Sequence, residues 1–375
     1  MLEKKKILLV SSAFYPEISP RSFRATELAK QFYKEGHDVT VITKHRDYDY
    51  TAFLKEYPVT FKMWSRPIVK VPTNISFKPL AFLIRGFFRL TSILFEYPAI
   101  LEMFKVKKML KNEQEGYDLL ISFAVPHPVH WGVARVRNSK RRIAKTWVAD
   151  CGDPFMFERL DTFRKPFYFK YFEIDFCEKC DFITIPFKEA QEQYYPKFRS
   201  KMRVIPQGFN FDEIRLYNKT KDNDIPNFIF AGTVIPGFRD LKLFLEFLVS
   251  LDMDFKFIVY TNQKDYYKPY KAQLGSKLEV REYVDRITLI YEMSKVDFLV
   301  NVDTVHDSEN NIEAIPSKLI DYSLSERPIL NIKSNSLDKE NVIRFLNGDY
   351  SGKRDVNKSD FDIRSVSEKF LKLLE

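Results

Sequence analysis

The stretch that most constrains this chain is residues 313–328, which read EAIPSKLIDYSLSERP. Proline is tolerated in the first turn of a helix, where its missing N–H would have no partner, and it disrupts a helix interior. Pro316 and Pro328 therefore predict a loop that becomes a helix near Ser317 and stops before Pro328. The first amides of such a helix, with the helix dipole behind them and Lys318 beside them, form a site suited to a phosphate or diphosphate.

Two acidic residues bracket these amides. Glu313 lies in the loop, and Asp321 lies about one turn inside the helix. A carboxylate repels a phosphate, but it accepts hydrogen bonds from the hydroxyl groups of a sugar next to one. The pattern therefore predicts a nucleotide-sugar site. The alternative is a capped surface helix whose acidic residues face water.

The same stretch resembles the nucleotide-sugar site of retaining GT-B glycosyltransferases, especially glycosyltransferase family 4. The shared features are a Glu, an acidic residue eight positions later, a proline, and then the apolar strand 329–332. Family members usually carry Glu at both ends and often Gly in the loop, where this chain has Asp321 and Pro316. The resemblance implies that Asp321 contacts the ribose, Glu313 holds the transferred sugar, and the amides from Ser317 bind the diphosphate.

Length and composition agree with a globular protein that binds an anion. A chain of 375 residues has room for two domains, each large enough to bury its own core. The net charge of +9 does not choose among a nucleotide diphosphate, nucleic acid and an acidic membrane surface. Three cysteines do not indicate a disulfide framework, which favours a reducing cytoplasm. The apolar run near the N-terminus is too short for the core of a signal peptide.

The first half opens with a strand, a loop and a helix that together predict a βαβ unit. Apolar residues recur at helical spacing after the loop 13–21, and Gly36 stands where a helix ends. Ligands of open parallel sheets bind at the carboxyl ends of the strands, so this loop should face the ligand cleft. Relatives usually place a pair of glycines here, where this chain has Arg21. We therefore consider Arg21 a candidate contact for phosphate or acceptor, with a solvated loop charge as the alternative.

Two further strand ends supply candidate residues. The loop after one of them carries His127 and His130, and the proline between them weakens the geometry that a shared metal would need. His127 is therefore assigned to the acceptor site or to the framework. The strand 144–150 ends in Asp150, and Asp153 follows three positions later. This resembles a family pattern in which the strand end reaches toward the donor sugar, while capping of the next helix is the alternative.

Residues 79–111 combine bulky apolar side chains with a series of cations. An uninterrupted apolar span of about 20 residues does not occur among them, so they do not predict a transmembrane helix. The pattern suits a helix lying in the headgroup plane of an anionic membrane, although a helix packed against its own domain looks similar. The lipid-linked or cell-envelope acceptors that the resemblance implies favour the membrane interpretation, on the inner face of the cytoplasmic membrane.

The second half predicts another nucleotide-binding domain. Its first strand ends at Gly232 and Thr233, where a missing side chain lets a backbone approach a ligand closely. The resemblance implies that Arg239 opens the next helix and neutralises the leaving diphosphate. It also implies that backbone groups at Val284 and Ile287 hold the base of the donor.

The expected fold is therefore α/β GT-B, with two Rossmann-like domains facing each other across a cleft. Residues 1–210 would bind the acceptor, residues 211–359 would bind the nucleotide sugar, and a C-terminal helix at 360–375 would cross back to the first domain. The resemblance implies a retaining, metal-independent hexosyltransferase without a cofactor, acting on a glycan or lipid-linked acceptor. Arg239, Lys318 and the amides of the helix would stabilise the departing diphosphate. Asp150 or Asp153 would position the sugar or receive the acceptor proton.

Three other functions fit parts of the pattern. A non-catalytic GT-B scaffold that binds nucleotide sugars is favoured by the shorter side chain of Asp321. It is also favoured by Val234 and Ile235, because family members often carry a second cation, an arginine, at this point near the strand end. A GT-A transferase would need a metal-binding Asp-x-Asp, which 47–49 and 222–224 spell without further ligands nearby. Nucleic-acid binding fits the charge, but the chain lacks a compact recognition motif.

Overall fold

A computed structural model describes residues 3–65, 78–157, 163–217, 224–303 and 317–375 of the chain. The chain forms two compact units, each built around a parallel sheet. The first unit is Met1–Phe209 together with Asp362–Glu375, and the second is Asn210–Phe361. The chain therefore leaves the first unit once, builds the second, and returns to the first.

The sheet of the first unit has seven strands. In chain order they are β1 Lys6–Ser11, β2 Asp38–Lys44, β3 Thr60–Trp64, β4 Tyr117–Ala124, β5 Ala144–Cys151, β6 Phe182–Ile185 and β7 Met202–Val204. Their spatial order is β3-β2-β1-β4-β5-β6-β7, and all neighbours are parallel. Consecutive residues of β1, from Ile7 to Val10, are fully buried because helices cover both faces of such a sheet.

In the described parts of the first unit, six α-helices precede the second unit. They are α1 Pro20–Lys34, α2 Thr51–Glu56, α3 Lys78–Phe95, α4 Ile100–Lys111, α5 Pro128–Ala134 and α6 Lys170–Lys179. The predicted βαβ unit is confirmed in β1, α1 and β2. Ser19 caps α1 by accepting a hydrogen bond from the Ser22 amide at 3.2 Å, and Pro20 occupies the first helical position. Gly36 ends the helix with a φ of 88°, which glycine adopts without strain.

The amphipathic region that the sequence predicts at 79–111 is divided into two helices. Helix α3 ends at Phe95 and α4 begins at Ile100, with Pro98 between them. Proline lacks the amide that would continue the helix, which accounts for the break. Among the helices of the described residues, none is long and apolar enough to cross a membrane.

The second unit has a sheet of five parallel strands. They are β8 Asn227–Ala231, β9 Lys256–Tyr260, β10 Leu278–Arg281, β11 Phe298–Asp303 and β12 Ile329–Lys333, in the spatial order β10-β9-β8-β11-β12. The helices are α7 Lys242–Val249, α8 Lys264–Leu274, α9 Arg286–Met293, α10 Ser317–Leu324 and α11 Lys339–Leu346. Within the described residues, helix α10 spans Ser317–Leu324 and ends before Pro328, as the sequence predicts.

A last helix, α12 Ile363–Leu371, belongs to the first unit and packs on α1. Its Ile363, Val366 and Phe370 are buried in the core beside α1. The ring of Phe370 also lies 5.5 Å from the guanidinium of Arg24. The prediction of a C-terminal helix that returns to the first domain is confirmed.

Candidate functional site

The second unit holds a buried cation at the start of α10. The Nζ atom of Lys318 is not accessible to solvent and has no hydrogen-bond partner among the described residues. It lies 5.0 Å from the centre of the Phe230 ring. Burial, followed by the positive charge of Arg239, lowers the pKa of Lys318 from 10.5 to about 7, with Asp303 acting in the opposite direction. An unpartnered ammonium beside a guanidinium is an environment that favours an anion.

Arg239 lies in a tight turn rather than at the start of a helix, which corrects the prediction for this residue. The amides and carbonyls of Ile235 and Arg239 bond to each other at 2.8 and 2.9 Å across the turn. Helix α7 begins only at Lys242, whose amide donates to the Asp240 carboxylate at 3.0 Å. The Arg239 Nε atom is buried without a hydrogen-bond partner among the described residues.

A polar network lies at the carboxyl ends of β11 and β12. Asn301 and Asn331 are register partners on these strands, and their side chains are hydrogen bonded. Both amides also donate to the carboxylate of Asp303, and Arg354 donates to it at 2.8 Å. The network holds Asp303 where its charge acts on Lys318. Sequence reasoning missed Asp303 and Arg354, although the pattern Asn-x-Asp at a strand end was a signal.

Asp321 is paired with a residue that the sequence did not indicate. The Nε atom of Arg286, the first residue of α9, donates to the Asp321 carboxylate at 2.7 Å. Burial raises the pKa of Asp321, and the neighbouring Arg286 partly offsets that shift. The expected ribose contact would therefore have to share this carboxylate with Arg286.

The other predicted residues of the second unit lie around these groups or outside the described residues. Thr233 is exposed, and its hydroxyl lies 3.2 Å from that of Tyr283. Gly232 has a φ of 144°, a backbone conformation that favours glycine. Val284 and Ile287 are exposed beside α9, and Ser317 is the first residue of α10. The predictions for Glu313 and Pro316 concern residues outside the described ones.

In the first unit, Asp150 is buried and paired with Arg24. It is 1% exposed, and each of its oxygens accepts a hydrogen bond from Arg24 at 2.6 Å. The Thr184 hydroxyl donates to one of the same oxygens at 2.6 Å. Three hydrogen bonds from its own unit therefore reach this carboxylate.

Asp153 is the exposed member of the pair and is bound by Arg21. The guanidinium of Arg21 donates to its carboxylate at 2.7 Å, and about half of the Asp153 side chain is exposed. Gly152 lies under Arg21, since a Cβ at that position would come within 1.7 Å of the guanidinium. The sequence predicted Arg21 and Asp153 separately, and the structure brings them together.

The two histidines are buried in the same unit. His130 shares a 2.7 Å hydrogen bond with the hydroxyl of Ser122, so it belongs to the core. Burial lowers the pKa of His127 to about 4, with the Asp153 charge acting in the opposite direction. The Nε2 atom of His127 has no hydrogen-bond partner within the described part of the chain. The described residues contain no group of three or more His, Cys, Asp or Glu side chains that could hold a metal ion.

No protein-family model matches this chain, and no curated protein matches it. The chain is similar to several solved structures. A glycosyltransferase from Rickettsia africae ESF-5 has a TM-score of 0.61 at 13% identity, covering 99% of this chain and 98% of its own. Anabaena HepE in complex with UDP and glucose has a TM-score of 0.58 at 12% identity, covering 99% of both chains. TarM has a TM-score of 0.61 at 11% identity, also covering 99% of both.

At these identities the likeness establishes the fold. It excludes the GT-A alternative. The carboxylate of Asp49, in the candidate Asp-x-Asp at 47–49, accepts a hydrogen bond from the Thr51 amide at 2.9 Å. Together with the two parallel sheets, the comparisons show that the chain has the two-domain α/β fold of GT-B glycosyltransferases.

Proposed function

We propose that the chain is a glycosyltransferase that uses a nucleotide diphosphate sugar, with the donor diphosphate bound at the start of α10. The observation that carries the proposal is the buried Nζ of Lys318 beside Arg239, which finds no hydrogen-bond partner in the part of the chain that the structure describes. An ammonium costs free energy in such a place unless an anion joins it. HepE, one of the structural neighbours, has been solved with UDP, with UDP and glucose, and with UDP-glucose, which supports a diphosphate as that anion.

The proposed mechanism is electrostatic. Negative charge grows on the diphosphate as the bond to the sugar breaks, and Lys318, Arg239 and the amides from Ser317 would stabilise it. Removing one donor of this kind typically lowers the rate on the order of 100-fold. Glu313 would hold the transferred sugar, and Asp321, with Arg286, would hold the ribose. None of these steps requires a metal or a cofactor.

The remaining donor contacts belong to the loops around this point. The backbone at Val284 and Ile287 would hold the base. Gly232 and Thr233 would line the approach to the sugar, and the loop containing Pro316 would lead into the helix. These assignments rest on the resemblance to retaining glycosyltransferases of family 4, as does the proposal that the anomeric configuration is retained and that the sugar is a hexose.

In the first unit we assign the acceptor to the surface around Asp153, Arg21 and His127. Asp153 is exposed and would receive the proton of the acceptor hydroxyl, while the ion pair with Arg21 fixes the position of its carboxylate. We also propose that the acceptor domain comprises 1–210 with 360–375 and that the donor domain comprises 211–359. The proposed acceptor is a glycan or lipid-linked molecule of the cell envelope. Three buried free thiols support a cytoplasmic location, and we propose no nucleic-acid partner.

A scaffold that binds nucleotide sugars without turnover is the second candidate, because Arg286 already occupies Asp321. The two candidates are separated by measuring binding and turnover with a panel of UDP, GDP and ADP sugars. We expect one member to be bound and to release its nucleoside diphosphate. Lys318→Ala should abolish both binding and release, and Lys268→Ala, an exposed control in the same unit, should change neither. Binding without release would favour the scaffold, and no binding by any member would refute the proposal.

A further inference from the structure

Helix α3 presents an apolar face to solvent. Leu83, Phe87, Leu90 and Leu94 lie on one side of the helix, at the spacing of successive turns, and are between 36% and 67% exposed. Across 82–95 no side chain is buried. A helix that packs on a core buries its apolar stripe, so this stripe is available to a partner.

The other side of α3 rests on the segment 163–171 of the same unit. The hydroxyl of Tyr168 donates to the carbonyl of Leu94, and the ammonium of Lys165 pairs with Glu96 just after the helix. The guanidinium of Arg89 lies 5.7 Å from the ring of Phe163. These contacts attach the C-terminal part of α3 to the segment 163–171.

The supporting segment continues the same surface. Its Phe163, Phe167 and Tyr171 are exposed by more than half. Neither Lys78–Phe95 nor 163–171 contains an acidic residue, and besides Lys165, which pairs with Glu96, they contain the cations Arg85, Arg89, Arg164 and Lys170. Two segments far apart in sequence therefore combine exposed apolar side chains with one sign of charge.

We propose that α3 and the segment 163–171 form a docking surface for an anionic membrane. Apolar and aromatic side chains reach the boundary between headgroups and acyl chains, while arginine and lysine bind the anionic headgroups. The charge complementarity selects a lipid surface over a second copy of this chain, since a partner surface of the same sign would be repelled. The inference does not depend on the proposed sugar transfer.

Only part of the region predicted at 79–111 belongs to this docking surface. Helix α4 buries Met103, Val106 and Leu110 in the core of its unit, so it supports the surface and does not enter the membrane. The exposed apolar face of α3 is the part that would lie in the headgroup plane.

The test is sedimentation of the purified full chain with vesicles. We expect binding to phosphatidylcholine vesicles that contain phosphatidylglycerol, weakening with added salt, and none to pure phosphatidylcholine. The double variant F87S/L90S should bind about tenfold more weakly or worse, since it removes two apolar anchors. Leu243→Ser, an exposed leucine of the second unit, is the matched control and should bind like the wild type.

The cations are tested separately. Arg85→Gln and Arg164→Gln should each weaken binding about five-fold, while the exposed Lys268→Gln should not. Absence of binding to the anionic vesicles, or equal binding by F87S/L90S and the wild type, would overturn the proposal. A dimer that F87S/L90S converts to a monomer, without any vesicle binding, would assign the face to a second copy instead. Nucleotide binding measured on the same samples reports on the proposed function independently.

Discussion

Replacing Lys318 by Met should stabilise the protein while abolishing nucleotide binding. The Nζ atom of Lys318 is buried without a partner among the described residues and lies over the ring of Phe230. Methionine has a similar length, carries no charge and makes favourable contacts with aromatic rings. The variant therefore removes the cost of a buried charge and keeps the packing.

The size of the expected gain in the free energy of unfolding follows from the pKa of Lys318. Burial lowers the pKa of Lys318 from 10.5 to about 7. A difference of this size corresponds to roughly 3 to 5 kcal/mol between the charged and neutral forms of the buried side chain. Relaxation and the loss of attraction to Asp303 reduce what the variant recovers, so we expect a gain of about 1–3 kcal/mol in the free energy of unfolding near pH 6.

The stability gained by Lys318→Met should decrease as the pH rises. Between about pH 7 and 10.5 the unfolded chain holds a proton on Lys318 that the folded chain has lost, so wild-type stability rises with pH through that window. The advantage of Lys318→Met should therefore be full below about pH 7 and should shrink as the pH approaches 10.5.

The assay is unfolding by denaturant at several pH values, together with titration of UDP, GDP and ADP. Lys268→Met is the matched control, because that lysine is 75% exposed, and its stability should stay within about 0.5 kcal/mol of the wild type. An advantage that grows with pH, a loss of stability near pH 6, or a variant that still binds the nucleotide would refute the reasoning.

Further predictions concern the first unit. Asp150→Ala leaves Arg24 buried without its partner and should cost about 3–5 kcal/mol in denaturant unfolding, whereas Asp153→Ala should change stability by less than about 1 kcal/mol and lower turnover. Gly152→Ala should displace the guanidinium above it, so its turnover should match that of Arg21→Ala, with no further loss in the double variant. Burial raises the pKa of Glu173 from 4.5 to about 7, so wild-type stability should fall as the pH rises between these values. Glu173→Gln should remove that slope in thermal denaturation, and an unchanged slope would contradict it.

Local structure was accessible from the sequence because its causes are local. Ser19 and Gly36 set the limits of α1, and α10 ends before Pro328 as the sequence predicts. Continuous apolar runs predicted the buried parallel strands. Each of these signals lies within a few residues of the structure that it determines.

Partnerships across the chain were not accessible in the same way. The carboxylate of Asp150 is 126 positions from Arg24, and nothing near it in sequence distinguishes a buried ion pair from a substrate contact. The pairing of Asp321 with Arg286, 35 positions away, depends on how α9 and α10 pack. The sequence analysis predicted that Arg239 opens a helix. The turn that holds Arg239 depends on backbone hydrogen bonds to Ile235, which the residue types do not reveal.

The return of the chain to its first unit has a consequence for biosynthesis. The amide of Ile363 donates to the carbonyl of Phe209 at 2.9 Å, so the points of departure and return are hydrogen-bonded neighbours. The ribosome must synthesise all of 210–361 before α12 can cover α1. Nascent chains that stop short of α12 would expose the apolar surface that Ile363, Val366 and Phe370 cover, making them targets for chaperones. The N-terminal unit is thus begun first and completed last.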